Sequence, residues 1–169
     1  CKVPLENQIN FMDSGRDFEM RNLIQRAAIN LGVGQVAFET AIEYTKIRRQ
    51  GGVDIIEHQA IGKMIADMAI KLEHARAMIW KAAWFIDNPS ETSDGEKTQT
   101  PFHIIASSFT AEAIHEVTHL AAECFGAMAV MRDMPLQKYV EDAFIFLNSD
   151  TNDLSTKLRI TETIIEYQR

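Results

Sequence analysis

The stretch "IIEHQAIGKMIADMAIKLEHARAMIWKAAWFID", Ile55 to Asp87, decides the fold of this 169-residue chain. Its apolar side chains recur about every three or four residues, which is the spacing of one face of an α-helix. No proline interrupts the stretch, so it predicts one long amphipathic helix packed against others. The predicted buried stripe consists of Ile61, Met64, Ile65, Met68, Leu72, Ala75, Ile79, Ala82 and Ile86.

A second stripe of apolar side chains lies earlier in the sequence. Residues 18–49 predict a helix of the same kind, and Gly51 and Gly52 end its pattern. Asp54 can then cap the helix that follows. The stripe of this earlier helix consists of Leu23, Ile24, Ala27, Ala28, Leu31, Phe38, Ala41 and Ile47.

The remaining sequence continues the helical pattern after one polar segment. Residues 87–101 are rich in Ser, Thr, Asp and Pro and predict a polar loop. Helices are predicted over about 102–125, 136–146 and 151–167. Alternation typical of strands is almost absent. The sequence therefore predicts an all-α fold, an up-down antiparallel four-helix bundle with one short extra helix.

Composition limits the function classes. The formal charge of −7 argues against nucleic acid as a partner, because phosphate binding needs a basic surface. Two cysteines give no disulfide framework, and no apolar run is long enough to span a membrane. Because the chain starts at Cys1 and not at Met, we expect a piece of a longer protein. At this length, one domain is expected.

The stretch "HEVTH", His115 to His119, matches the H-E-x-x-H pattern of zinc proteases. It also contains two overlapping E-x-x-H units, which di-iron bundles place on two different helices. A third zinc ligand would have to come from Glu123, Glu141 or Asp142, and none has a diagnostic spacing. We therefore predict no metal site and interpret the stretch as a charged helix face with paired side chains.

The succession Tyr44, Arg48, Gly52 and Gln59 resembles the C-terminal helical domain of the acyl-CoA dehydrogenases. The segment "EHQAI" is close to the medium-chain enzymes in particular. The stretch "FGAMAVMRDMPLQKYVEDA", Phe125 to Ala143, is similar to the family's Gly-rich turn and Arg-Asp-Ala segment. The likeness extends from about residue 20 onward.

The resemblance implies a flavoenzyme with three domains, of which only the third is present. Residues 1–17 are then an N-terminal lead-in and 18–169 the helical bundle, with the N-terminal helical and middle β domains absent. The family implies FAD, an acyl-CoA substrate, electron-transfer flavoprotein as partner, and a dimer or tetramer formed through the bundle. The isolated bundle is expected neither to bind FAD nor to be active. A cytoplasmic location is expected, or the mitochondrial matrix in a eukaryote.

The family's flavin contacts carry over to six positions. Arg48 matches an Arg that contacts the flavin pyrophosphate, a suitable role for a permanently charged fork. Gly51 stands where the family usually has Phe. Glu123 stands where the family has Gln, so a donor is replaced by a charge. The residues predicted to bind cofactor are Arg48, Arg49, Gln50, His58, Gln59 and Glu123.

The family's catalytic Glu abstracts a proton alpha to the thioester carbonyl, and here it is replaced. Counting without gaps from Ala143, its position falls on Asp150, in "FLNSDTNDL". One deletion would place the position on Ser149. Other family members keep the Glu on the first helix, where Glu19 and Arg21 lie nearby. Asp150 is also a preferred helix cap, and a capping carboxylate has a low pKa, which is unsuitable for a base. Both roles stay open.

Three functional hypotheses result. The first is a domain of an FAD-dependent acyl-CoA dehydrogenase-like protein with Asp150 as its base. The second is a catalytically degenerate member of the same family that acts in assembly. The third is an unrelated metal-binding helical bundle that uses the "HEVTH" stretch.

Overall fold

The computed structural model describes residues 4, 11–88, 101–149 and 154–165. These residues form five helices and one two-stranded hairpin, which confirms the predicted all-α fold class. The helices are α1 (Phe11–Ile47), α2 (Gln59–Asp87), α3 (Phe102–Phe125), α4 (Leu136–Leu147) and α5 (Leu154–Ile165). Strands β1 (Arg49–Gln50) and β2 (Val53–Asp54) pair between α1 and α2.

Helices that follow one another in the chain run antiparallel. Arg21 near the start of α1 contacts Asp87 at the end of α2, with 3.5 Å between Nη1 and Oδ1. The ring of Phe85, late in α2, stacks on Phe102 at the start of α3 with centroids 4.5 Å apart. These contacts show that α1 and α2, and then α2 and α3, run in opposite directions, as in an up-down bundle.

Helices α1 and α3 run parallel and lie close together. Tyr44 near the end of α1 stacks on Phe125 at the end of α3, with ring centroids 3.9 Å apart. Ten residues earlier in α1, a Cβ added to Gly34 would lie 2.6 Å from Cδ1 of Ile114. Ala37 and Ala41 of α1 are fully buried as well. Small residues therefore let the two backbones approach.

The predicted stripe of α2 forms the centre of the core. Met68, Leu72, Ala75, Ile79 and Ala82 are all buried, which confirms that part of the pattern. In the stripe of α1, Leu23, Ala27, Leu31 and Ala41 are buried as predicted. Ile24 and Phe38 are partly buried, whereas Ala28 is exposed and Ile47 is 78% exposed. Ile47 is the last residue of α1, so the bundle no longer covers it.

The ends of several elements differ from the prediction. Helix α1 begins at Phe11, within the expected lead-in, since extending an existing helix costs less than starting one. Asp54 precedes a short 3₁₀ turn, Ile55–Glu57, and α2 begins only at Gln59. Thus Asp54 does not cap α2 directly. The first and last residues predicted for α5 lie outside the described ranges, as does most of the loop over 87–101.

The "HEVTH" stretch lies on α3, and its carboxylates pair with neighbouring helices. Glu116 is 2.7 Å from Nζ of Lys71 on α2, and Glu112 is 2.7 Å from Nζ of Lys157 on α5. Nδ1 of His119 is 2.8 Å from the carbonyl of His115. Among residues whose positions are described, no group of three or more His, Cys, Asp or Glu could hold a metal ion. The interpretation expected a solvated helix face with pairs between residues four apart, but the carboxylates pair with lysines of α2 and α5.

The fold alters the titration of His115. Its Nδ1 is buried and has no hydrogen-bond partner within the described part of the chain. Its ring lies 4.2 Å from that of His119 and 6.0 Å from that of Phe144 on α4. Burial first, and the charge of His119 second, lower the pKa of His115 below its ordinary value of 6.5.

No helix in the ranges described is long and apolar enough to cross a bilayer.

Gly34 and Gly32 give a matched test of the α1–α3 contact. We expect Gly34→Ala to lower the free energy of unfolding by about 1–3 kcal/mol, because its Cβ would press into buried Ile114. A Cβ at Gly32 would meet nothing within 4 Å, so Gly32→Ala should raise that free energy by about 0.5–1 kcal/mol. Urea denaturation followed by circular dichroism measures both. Equal effects from the two substitutions would contradict the close approach.

His115 should make the folded chain less stable as the pH is lowered. Because its pKa is lower folded than unfolded, the unfolded chain binds the proton first as pH drops through about 6.5. The free energy of unfolding should therefore decrease until the pH is below the folded-state pKa. As the pH is lowered from about 7 to about 5, the urea midpoint should decrease less in His115→Gln than in wild type. His74→Gln, at an exposed position on α2, is the control and should keep the decrease.

Candidate functional site

The connection between α1 and α2 is a tight β-hairpin that the sequence analysis described only as a break. Arg49 pairs with Asp54 and Gln50 with Val53, which leaves Gly51 and Gly52 as the turn. Their φ angles are 67° and 90°, and two successive positive values are characteristic of a type I′ turn. Glycine accepts this conformation without strain. The Gly-Gly pair was the signal that could have predicted the hairpin.

Hydrogen bonds hold this hairpin against the start of α2. The Ile55 N–H donates to the Arg48 carbonyl at 2.8 Å. Nε2 of His58 lies 3.1 Å from the Gln50 carbonyl. Since a carbonyl can only accept, Nε2 carries the hydrogen. Gln50 of the hairpin and His58 at the start of α2 are thus brought together.

The two arginines of the hairpin differ in their surroundings. Nη2 of Arg49 donates to the Gly52 carbonyl at 2.8 Å, and its Nε is 3.8 Å from Oδ1 of Asp54. Arg48 is exposed, and its guanidinium has no hydrogen-bond or ion-pair partner within the residues described. Arg48 therefore presents an uncompensated positive charge beside the hairpin.

The start of α2 adds hydrogen-bond donors at the same place. His58 is the N-cap residue, and no side chain makes a capping hydrogen bond there. Among the described residues, the N–H of Gly62 is the first in α2 to donate to the N-cap residue, and it bonds the His58 carbonyl at 3.0 Å. Gln59, Ala60 and Ile61 therefore carry the unsatisfied N–H groups that every helix start leaves. Gln59 is exposed beside them.

This donor set suits a phosphate or pyrophosphate. A helix start without a side-chain cap attracts anions through its N–H groups and its dipole. The guanidinium of Arg48 adds charge-assisted donors. The donors present are therefore chemically compatible with the pyrophosphate of a dinucleotide such as FAD, and both Arg48 and Gln59 are exposed.

Glu123 lies at the same end of the bundle but does not suit an anion. It is exposed in the last turn of α3, next to Cys124, whose Sγ is 4.0 Å from Sδ of Met64 on α2. A carboxylate repels phosphate, so Glu123 could face only a neutral or donor-rich part of a ligand. Burial raises the pKa of the Cys124 thiol to about 11, so this sulfur is not a nucleophile at neutral pH.

The three candidate bases fall at different places. Asp150 lies outside the described residues. The Ser149 hydroxyl donates to the Phe146 carbonyl at 2.8 Å, which occupies it at the end of α4. Glu19, near the start of α1, is 2.6 Å from Nη1 of Arg159 on α5. Glu19 is therefore ion-paired and lies far along α1 from the hairpin.

Comparison with known proteins identifies relatives over most of the chain. The family model for the acyl-CoA dehydrogenase C-terminal domain matches residues 20–147. The 3-sulfinopropanoyl-CoA desulfinase of Paraburkholderia xenovorans is 35% identical over 140 residues, covering 82% of this chain and 34% of that protein. The caffeyl-CoA reductase-Etf complex subunit CarC of Acetobacterium woodii is 32% identical over 149 residues, covering 86% of this chain and 38% of that protein.

A solved structure shares the fold. Butyryl-CoA dehydrogenase from Megasphaera elsdenii is 26% identical and superposes with a TM-score of 0.73, covering 91% of this chain and 39% of that one. The chain thus spans between 34% and 39% of the length of these proteins. With the family model matched over residues 20–147, the chain belongs to the acyl-CoA dehydrogenase family, as its C-terminal helical domain.

Proposed function

We propose that this chain is the C-terminal bundle of an FAD-dependent enzyme that introduces an α,β double bond into an acyl-CoA thioester. Its own contribution is to hold the flavin pyrophosphate and to join subunits. The observations that carry the proposal are the exposed Arg48, whose carbonyl accepts from the Ile55 N–H, and the start of α2 four residues after Ile55, which has no side-chain cap. Both attract a doubly charged diphosphate, and both are fixed by the same hairpin.

The chemistry divides between the cofactor and the protein. Flavin, when bound, supplies the acceptor for the hydride that leaves the β carbon. The protein must supply a carboxylate that removes the α proton from the thioester. Asp150 is the residue of this chain proposed for that role. Because Asp is one methylene shorter than Glu, its backbone would have to approach the substrate more closely.

The partners are proposed from the relatives. The domains that would complete the flavin and acyl-CoA sites correspond to the parts of the relatives that this chain does not span. The name of the CarC relative places that subunit in a complex with Etf. We propose an electron-transfer flavoprotein as the electron acceptor of the present protein as well.

The surface of α2 that faces away from the core suits contact with another subunit. Ile70, Trp80 and Trp84 lie on that side and are 54%, 69% and 49% exposed. Tryptophan is enriched among residues that dominate the free energy of protein association. Exposed apolar surface of this kind commonly marks an interface. We propose that this tryptophan face forms the dimer or tetramer contact.

The base assignment is tested in the protein made from its whole open reading frame. We expect a flavin absorption spectrum and dye-linked oxidation of acyl-CoA, and we expect Asp150→Asn to lower kcat at least about a hundredfold. The flavin spectrum should be unchanged. Asp153→Asn, a change of the same kind three residues later, should keep turnover. Turnover retained in Asp150→Asn would leave that residue only a capping role.

Two other results would change the proposal itself. Flavin bound without turnover on any acyl-CoA would indicate a degenerate family member that serves assembly. Absence of flavin from the whole protein would contradict the role of Arg48 and the start of α2.

The tryptophan face is tested by sedimentation velocity on this chain. Wild type should self-associate, and Trp80→Arg should weaken association by about thirtyfold, corresponding to about 2 kcal/mol for a central interface residue. Ile47→Arg places the same charge on a residue that is 78% exposed at the end of α1, and it should change little. A monomeric wild type at all concentrations would contradict the proposed contact.

A further inference from the structure

We propose that Arg49 and His58 are positioning residues, which hold the hairpin in a form that presents donors to an anion. Arg48 and the first turn of α2 are then the groups that face the pyrophosphate. This inference rests on the proposed function, and it divides the residues predicted to bind cofactor into two kinds. The inference rests on the hydrogen bonds that the backbone carbonyls of the hairpin accept.

Three backbone carbonyls of the hairpin region accept a hydrogen bond from this chain. The Arg48 carbonyl accepts from the Ile55 N–H at 2.8 Å, and the Gln50 carbonyl from Nε2 of His58 at 3.1 Å. The Gly52 carbonyl accepts from Nη2 of Arg49 at 2.8 Å. A carbonyl oxygen directed at a phosphate would repel it. Here each of these oxygens is turned toward an internal donor.

The charge of Arg49 is used within the hairpin. In addition to its hydrogen bond to the Gly52 carbonyl, the Arg49 guanidinium lies 3.8 Å from the carboxylate of Asp54, the residue paired with Arg49 across the two strands. The guanidinium of Arg49 thus has partners within the hairpin, whereas that of Arg48 has none among the described residues. Two adjacent arginines in the sequence thus have different roles, which their order alone does not reveal.

Gly51 allows the His58 ring to reach the hairpin. A Cβ at Gly51 would lie 3.3 Å from Cε1 of His58, closer than most side chains tolerate, and the φ of 67° disfavours other residues as well. The ring covers the space that a side chain at position 51 would occupy. The unusual glycine and the histidine therefore act as a pair, in which the missing side chain makes room for the ring.

The test compares two substitutions of His58 by two measurements. In this chain, amide hydrogen exchange of Val53 and Ile55 reports on closure of the hairpin. In the protein from the whole open reading frame, FAD titration reports on binding. His58→Phe keeps a ring but removes the donor, so it should speed exchange and weaken FAD binding by about three- to tenfold each. His58→Gln can still donate, so it should stay near wild type in both.

Arg48→Gln serves as the comparison for direct contact, since it should weaken FAD binding while leaving amide exchange unchanged. If His58→Phe behaved in that way, His58 would contact the cofactor itself and the inference would be overturned. Unchanged exchange in His58→Phe with unchanged binding would overturn it too. If wild type bound no FAD, the proposed function would fail, while the exchange data would still decide whether His58 holds the hairpin.

Discussion

The close contact between α1 and α3 at Gly34 is the constraint on which the rest of the structure depends. Parallel helices that touch at one level must stay in register along their length, so the ends of α1 and α3 lie at the same end of the bundle. The stacked rings of Tyr44 and Phe125 fix that register ten residues further along α1. The hairpin begins at Arg49, five residues after Tyr44, so its location follows from a contact in the core.

The site consists of irregular backbone on a rigid base. Helix α2 begins at this end because the hairpin reverses the chain within six residues, Arg49 to Asp54. An uncapped helix start would normally be a small cost in stability, about 1 kcal/mol. On the proposed function, the same N–H groups are left for the pyrophosphate. The His58 side chain bonds to the hairpin and not to its own helix.

Helix positions and core residues could be predicted because their signal is periodic. Met68 and Leu72 recur with the spacing of one helix face, and packing follows from that spacing. The roles of individual polar side chains could not be predicted in this way. Arg48 and Arg49 are neighbours of the same type, and only the fold of the hairpin separates them. Asp150 stays a prediction, because resemblance gives its place in the sequence but not its surroundings.

On the proposed function, the hairpin and the start of α2 hold the charged part of the cofactor and have no part in breaking bonds. Binding of this kind does not depend on which bond the rest of the protein breaks. That is consistent with the names of the relatives, which include a desulfinase and a reductase subunit alongside a dehydrogenase. Selection for a new reaction could then act on the base and on other parts of such a protein, while the hairpin and the start of α2 stayed constant.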